Sequence, residues 1–291
     1  MNKIEVHKDI VRYSKTNRDI TIIHIADIHF NRHTKEKKLN KIKEVIYKNN
    51  PDYVFITGDL LDEPAITKDK YKIKELLVFL TNISNNSKVL ISLGNHDIFK
   101  LDDYKFFKNL NELKNIYVLD NTSYVDELIY VSGLTLPTHY YYNINKDESN
   151  EILIEHLKKH KKIITNLPTS IPKVSLIHSP IMLTDGEVLE LLKEYDLLLS
   201  GHMHNGMVPK FLEKLFKPNQ GLISPRKKLF PDIARGKIEK NMFNKKITLI
   251  ITGGITKLSA RSAKILSNFN FIYNIDINKI IITSKKGRYY E

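Results

Sequence analysis

The chain has 291 residues, 42% of them hydrophobic and 27% charged, with no cysteine and a net charge of +13. That length and apolar content suit one large α/β domain, or a domain with a small cap, and the lack of cysteine excludes disulfide staples and thiolate metal sites. The basic excess points to an anionic partner (nucleic acid, a phosphorylated metabolite or a lipid surface), although the lysines are spread along the chain and not blocked.

Taken in chain order, Ile20 to Ile25 is a β-branched, mostly apolar run and predicts a buried strand. Leu39, Ile42, Val45 and Ile46 stand at helical spacing, and Asn50-Pro51 stops that helix. Tyr53 to Thr57 predicts a second strand, Ile73, Leu76, Leu77 and Leu80 a second helix, and Lys88 to Ser92 a third strand. This β-α-β-α-β order argues for neighbouring, mostly parallel strands with helices on their faces. Further strands are expected over Ile116–Val118, Leu128–Ser132, Val174–Ile177, Leu197–Leu199 and Ile247–Thr252, with a helix over Asp147–Lys162. Phe271 to Ile282 reads as a hairpin turning near Asn278. The stretch from Asn205 to Lys246 has little periodicity and many Lys, Arg and Pro residues, the composition of a lid or binding loop. One domain over 1–291 is therefore expected, with a core of about 20–204 and 247–284 and a basic cap or loop segment of about 205–246. No window approaches the roughly 18 apolar residues of a membrane span, and the N-terminus lacks a signal-peptide core. The expected location is cytoplasmic, with peripheral contact to an anionic membrane left open.

Five blocks carry the chemistry: Asp27-Ile28-His29, Gly58-Asp59, Gly94-Asn95-His96-Asp97, His178, and Gly201-His202-Met203-His204. Each follows an apolar run, so each is expected at a strand's carboxyl end, where sites gather in open α/β sheets. Two ions about 3.5–4 Å apart need a shared anionic ligand and further ligands on separate rigid supports. Asp59, alone at its strand end, is the carboxylate most naturally shared. His96 is one donor too many for two filled sites and is better used as a free imidazole near the leaving group. A donor set of His, Asp and Asn suits Mn, Fe or Zn, with Mn favoured.

These blocks resemble the calcineurin-like metallophosphoesterases, whose pattern runs D-x-H, G-D-x-x-D, G-N-H-[DE], H and G-H-x-H. The resemblance spans about Ile20 to His204. It implies a four-layer α/β/β/α sandwich and two divalent transition ions. Asp27, His29 and His204 would hold the first ion, and Asn95, His178 and His202 the second, with Asp59 bridging. It also pairs Asp62 with His96, assigning Asp62 to orient that imidazole, and leaves Asp97 as a support behind the ligands. The implied reaction is phosphoester hydrolysis by a metal-bridging hydroxide, with His96 assisting departure. Beyond His204, Asn205-Gly206-Met207, Pro218-Asn219-Gln220-Gly221 and Thr252-Gly253-Gly254-Ile255 are similar to the bacterial YkuE-type phosphohydrolase branch. Met203, Asn205 and Met207 depart from that branch's usual G-H-T-H-G-G-Q. The branch implies a small or lipid-linked, cell-envelope phosphoester. The alternatives are a cyclic-nucleotide phosphodiesterase or broad phosphomonoesterase, a DNA or RNA nuclease, and a non-catalytic metal-binding scaffold. Nucleic acid is the less favoured partner because aromatic-basic interleaving is missing, and the oligomeric state is open. Tyr140, Tyr141 and Tyr142 are expected in a loop, packed at a rim or stacked on a base or lipid-sugar headgroup. Arg226-Lys227-Lys228, with Lys210, Lys214 and Lys217, is expected to face a phosphate, a membrane or solvent.

Overall fold

The computed structural model describes residues 3–62, 66–98, 101–143, 145–181, 186–242, 245–258 and 266–284. β1 is Ile4–Arg12, β2 Ile20–Ile25, β3 Tyr53–Thr57, β4 Lys88–Ser92, β5 Ile116–Leu119 and β12 Ile275–Thr283. They form a six-stranded sheet in the order β1-β12-β2-β3-β4-β5. β6 (Thr122–Val125), β7 (Tyr130–Leu134), β8 (Lys173–Ile177), β9 (Leu197–Ser200), β10 (Gly236–Met242) and β11 (Lys245–Ile251) form the second, in the order β10-β11-β9-β8-β7-β6. Neighbours among β2, β3 and β4 run parallel, as do those among β8, β9 and β11.

Side-chain alternation explains why these strands are apolar throughout. Successive residues point to opposite faces, and in the central strands both faces are covered. Ile23 and Ile25 of β2, with Val54 and Ile56 of β3, pack on Leu39, Ile42 and Ile46 of α1 (Glu36–Asn49) and Leu76, Phe79 and Leu80 of α2 (Lys70–Ser84). Ile20, Ile22, Tyr53, Phe55 and Leu90 point the other way and meet Val174, Leu176, Leu197, Leu199 and Ile250 of the second sheet. The outer face of that sheet packs on Leu153 and Leu157 of α5 (Lys146–Lys159) and Val188, Leu189 and Leu192 of α6 (Gly186–Leu192). α3 (Leu101–Leu110) adds Phe107 and Leu110 to the first helical layer, and α4 (Thr138–Tyr142) adds Tyr140 and Tyr141 to the second. Helix, sheet, sheet and helix make the four-layer α/β/β/α sandwich expected.

Two expectations change. Phe271–Ile282 is not a hairpin: a 3₁₀ turn over Leu266–Ile272 leads into the single strand β12, parallel to β1 and antiparallel to β2. Asn278 reads as a turn residue, yet it lies mid-strand, where its Nδ2 donates to Asp9 Oδ2 on β1 across 3.0 Å. The stretch after His204 is also less irregular than its sequence suggests, because β10 pairs antiparallel with β11 over Gly236–Met242. Among the described residues no helix is long and apolar enough to cross a membrane.

Candidate metal centre

The five blocks meet at one edge of the sandwich, beyond the carboxyl ends of β2, β3, β4, β8 and β9. Three sets of side chains converge there, each with ligand atoms within 4.8 Å of one another: Asp27, His29 and His204; Asp59, His178 and His202; and His29, Asp62 and His96. Oδ2 of Asp59 lies 3.7 Å from His29 Nε2 and 3.1 Å from His178 Nε2. Oδ1 of Asp27 is 3.9 Å from the same His29 nitrogen. His29 Nε2 and Asn95 Oδ1 are buried with no hydrogen-bond partner among the described residues, and His178 Nε2, also buried, faces the Asp59 carboxylate. Buried polar atoms are rarely left unpaired. Buried atoms of ligating types, two of them facing a common carboxylate, fit divalent ions.

The backbone is bent to achieve this. Asp27 (φ 53°), His29 (47°), Asp59 (50°), His202 (65°) and His204 (49°) all occupy the left-handed region. Such conformations are uncommon outside glycine and concentrate at functional sites. Gly58 (φ 77°) makes the turn before Asp59 possible, and a Cβ there would come within 2.6 Å of His178 Nδ1 and 2.7 Å of Gly94 Cα.

Hydrogen bonds aim the rings. Nδ1 of His178 donates to the carbonyl of Thr57 (2.8 Å), and Nδ1 of His204 to the carbonyl of Thr256 (2.9 Å). Each leaves Nε2 for a metal, the arrangement by which outer partners orient ligating imidazoles. Asp62 is buried between two rings, its Oδ1 3.4 Å from His29 Nδ1 and 3.5 Å from His96 Nδ1, while Asn31 Nδ2 donates to its Oδ2 across 3.1 Å. Asp59 Oδ1 accepts from the His96 backbone N–H (2.8 Å), and the Asp27 carboxylate from that of His202 (3.1 Å). Asp97 accepts from the backbone N–H groups of Leu60, Leu61 and Gly94, so it ties the Asp59 turn to the Asn95 turn.

The charges are set by burial and by these neighbours. Burial lowers His202 well below its ordinary value and His204 to about 4, leaving both neutral, the ligating form. Burial works against ionisation of Asp59, but His178, His96 and His29 outweigh it and hold the carboxyl well below the usual range. Burial also opposes a charge on His178, yet the Asp59 carboxylate raises it to about 9. Burial, followed by the Asp59 charge, pushes Asp97 up to about 6.

Eight expected site residues are thus brought together, Asp27, His29, Asp59, Asp62, His96, His178, His202 and His204, and Asn95 lies in the turn between Gly94 and His96 that Asp97 and Asp59 hold. Others were not anticipated. Thr256 joins the β2 and β9 loops: its N–H donates to the Asp27 carbonyl, its hydroxyl to the Ile28 carbonyl, and its own carbonyl accepts from His204. Lys38 of α1 reaches the same hydroxyl across 2.6 Å, its ammonium lowered to about 8 by burial and then by Lys257. Lys257 is buried against the carbonyls of Gly253 and Gly254 and Asp276 Oδ2 (2.6 Å). The Gly253-Gly254 pair was the only sequence signal for this support, and a lysine inside a helix gave none. Tyr140 and Tyr141 are buried on α4 and not in a loop, with only Tyr142 exposed.

Comparison with known proteins agrees with this geometry. A family description, calcineurin-like phosphoesterase, matches residues 20–206. The chain is similar to an uncharacterized metallophosphoesterase of Helicobacter pylori, 27% identical over 68% of this chain and 48% of the relative. It is also similar to a subunit of the SbcCD nuclease of Staphylococcus epidermidis, 24% identical over 63% of this chain and 56% of the relative. A third relative is UDP-2,3-diacylglucosamine pyrophosphatase LpxG of Chlamydia muridarum, 22% identical over 75% of this chain and 72% of the relative. The chain spans only about half the length of the first two. The match over residues 20–206 takes in every one of the five blocks, and the chain belongs to the calcineurin-like phosphoesterase family.

Proposed function

We propose that the chain hydrolyses a phosphoester with two divalent transition ions, one held by Asp27, His29 and His204, the other by Asn95, His178 and His202, and both by Asp59. The observation that carries this reading is the position of Asp59 Oδ2, 3.7 Å and 3.1 Å from two buried imidazole nitrogens that belong to different proposed ligand sets. When bound, such ions supply a water-derived nucleophile near neutral pH and offset charge on the phosphoryl group. The protein's own part is to hold the ligands and manage the leaving group. His96 belongs to neither ligand set, its side chain is 14% exposed, and it is positioned to give a proton to the departing oxygen. Asp62 orients it. Nitrogen and oxygen donors without thiolate suit Mn, Fe or Zn, and we favour Mn.

Within this reading we favour a lipid-linked or cell-envelope phosphoester, as the YkuE-type resemblance suggests. The relative named as a diacylglucosamine pyrophosphatase supports it, being matched over more of its length than the other two relatives. So does the surface after the last block. Phe211, Leu215, Leu229, Phe230, Phe269 and Phe271 are exposed there beside exposed Lys210, Lys214, Lys217, Lys227 and Lys228. The Lys210 N–H donates to the Ile272 carbonyl and brings the two segments together. Apolar and basic residues on one surface suit an anionic lipid interface. A nuclease is the second reading, favoured by the relative from the SbcCD nuclease.

The test is a substrate panel of bis(p-nitrophenyl) phosphate, a nucleoside-diphosphate-linked acylated sugar, a cyclic nucleotide and DNA, each with Mn, Fe and Zn, alongside metal analysis. Turnover of the activated diester with Mn and preference for the lipid-linked ester are expected. Protein that holds no ion and gains no activity with Mn would sink the reading, whereas preferential DNA cleavage would replace the lipid substrate with a nucleic acid.

A further inference from the structure

The tyrosine triplet and Arg226, which the proposed hydrolysis leaves unused, touch each other beside the proposed metal centre. Nη1 of Arg226 donates to Ser149 Oγ on α5 across 2.9 Å, and Nη2 to the Tyr140 carbonyl on α4. The guanidinium also lies over the Tyr140 ring, 4.8 Å from its centroid. Two of these three contacts tie α4, and the third ties α5, to the 205–246 segment. The next residue, Tyr141, packs its ring on His202 (5.2 Å) and His178 (6.0 Å), the two imidazoles of the second proposed ligand set. Its hydroxyl is buried and has no hydrogen-bond partner among the described residues.

A buried hydroxyl without a partner is destabilising, so one retained beside a reactive centre calls for an acceptor that arrives with the substrate. A phenol is protonated at neutral pH and donates. The acceptors that approach the proposed centre are phosphoryl oxygens, which gain charge in the transition state, and preorganised donors act there most strongly. We infer that Tyr141 binds substrate: its hydroxyl donates to a phosphoryl oxygen on the His178–His202 side, and Arg226 is the positioning residue that holds α4 in place. This rests on the proposed dinuclear phosphoester site and adds a donor that none of the five blocks supplies.

The experiment uses inorganic phosphate as probe, titrated calorimetrically into the full chain with Mn present, for wild type, Tyr141→Phe, Arg226→Met and the double variant. Tyr141→Phe is expected to weaken phosphate binding about tenfold, as for one hydrogen bond to a charged acceptor, with Mn content unchanged. Its unfolding midpoint should not fall, because an unpaired hydroxyl is removed. Arg226→Met should weaken phosphate similarly, and the double variant should be no worse than Tyr141→Phe, the non-additivity of residues acting through one contact. Phosphate affinity unchanged in Tyr141→Phe, loss of Mn from it, or no phosphate binding by the wild type would each overturn the inference. Additive losses would remove Arg226 from it. Tyr141-dependent phosphate binding by a protein that cleaves no ester would defeat the hydrolytic reading alone.

Discussion

Nδ1 of His178 donates to the carbonyl oxygen of Thr57 across 2.8 Å, joining residues 121 positions apart. The bond runs from the end of β8 to the end of β3, and so from one sheet to the other. A carbonyl only accepts, so the proton on Nδ1 is fixed and Nε2 is the atom presented to Asp59. The proposed centre is therefore part of the seam between the sheets, and changes to its ligands should be felt in both metal content and fold.

Asp59→Asn tests the shared carboxylate. Asparagine tolerates the left-handed φ of 50° at this position, so the backbone should persist while the negative charge is lost. Metal analysis is expected to show fewer than two ions per chain, with activity reduced by at least ~10²-fold. Two retained ions would remove Asp59 from the bridging role.

His96→Ala and Asp62→Asn should differ in kind. The first is expected to keep the metals and lower kcat by ~10²–10³-fold, the usual contribution of a positioned proton donor. The second touches both His96 and His29, so it should lower kcat and also weaken metal affinity ~10–100-fold, as for an outer partner of a ligating histidine. Chelator titration separates the two. Identical metal retention in both variants would confine Asp62 to His96.

Lys257→Met leaves Asp276 and the Gly253 and Gly254 carbonyls without their buried ammonium. Breaking one side of a buried ion pair costs about 3–5 kcal/mol. A fall of that order in urea-derived stability is expected, and a companion Asp276→Asn change should recover part of it.

Acid stability should depend on Asp126, which meets Tyr53 at the opposite end of β3 from Asp59. Burial disfavours its charge, but Lys88 (2.7 Å), the backbone N–H of Leu128 and the hydroxyls of Tyr53 and Tyr124 outweigh burial and lower its carboxyl to about 2. The unfolded chain protonates near the ordinary value of about 3.9. The ionised contacts therefore stabilise the fold fully above that pH, and the gain is lost as pH falls toward 2. Urea midpoints measured between pH 5 and pH 2 should drop less steeply in Asp126→Asn than in wild type. Parallel slopes would dismiss the contribution.

The central architecture, and the blocks that supply the proposed site, were legible because each rests on a local pattern. β2, β3 and β4 are continuous apolar runs because both faces are buried, and the ligand blocks stand directly at their ends. β1 was missed because its edge position leaves Val6, His7 and Lys8 exposed, which erases the apolar run. The hairpin expected at Asn278 failed because a side-chain bond to a strand 269 residues away overrides a local turn preference. Thr256 and Lys38 gave no signal for a similar reason. Each acts through contacts to residues 52 or more positions distant, which no window along the chain contains.

The left-handed turns at Asp27, His29, Asp59, His202 and His204 have a further consequence for how this centre can change. Asn, Asp and His are the side chains that most readily accept that backbone, and they are also hard or borderline donors. Each of these positions therefore applies two sieves that pass nearly the same few residues. A mutation that discards the donor generally discards the turn as well, displacing the neighbouring ligands through the shared loops. Single-step drift toward a folded chain with a half-built centre is thereby discouraged, and surviving variants should cluster at the two exceptions, Asn95 and His178, where the backbone imposes no such demand.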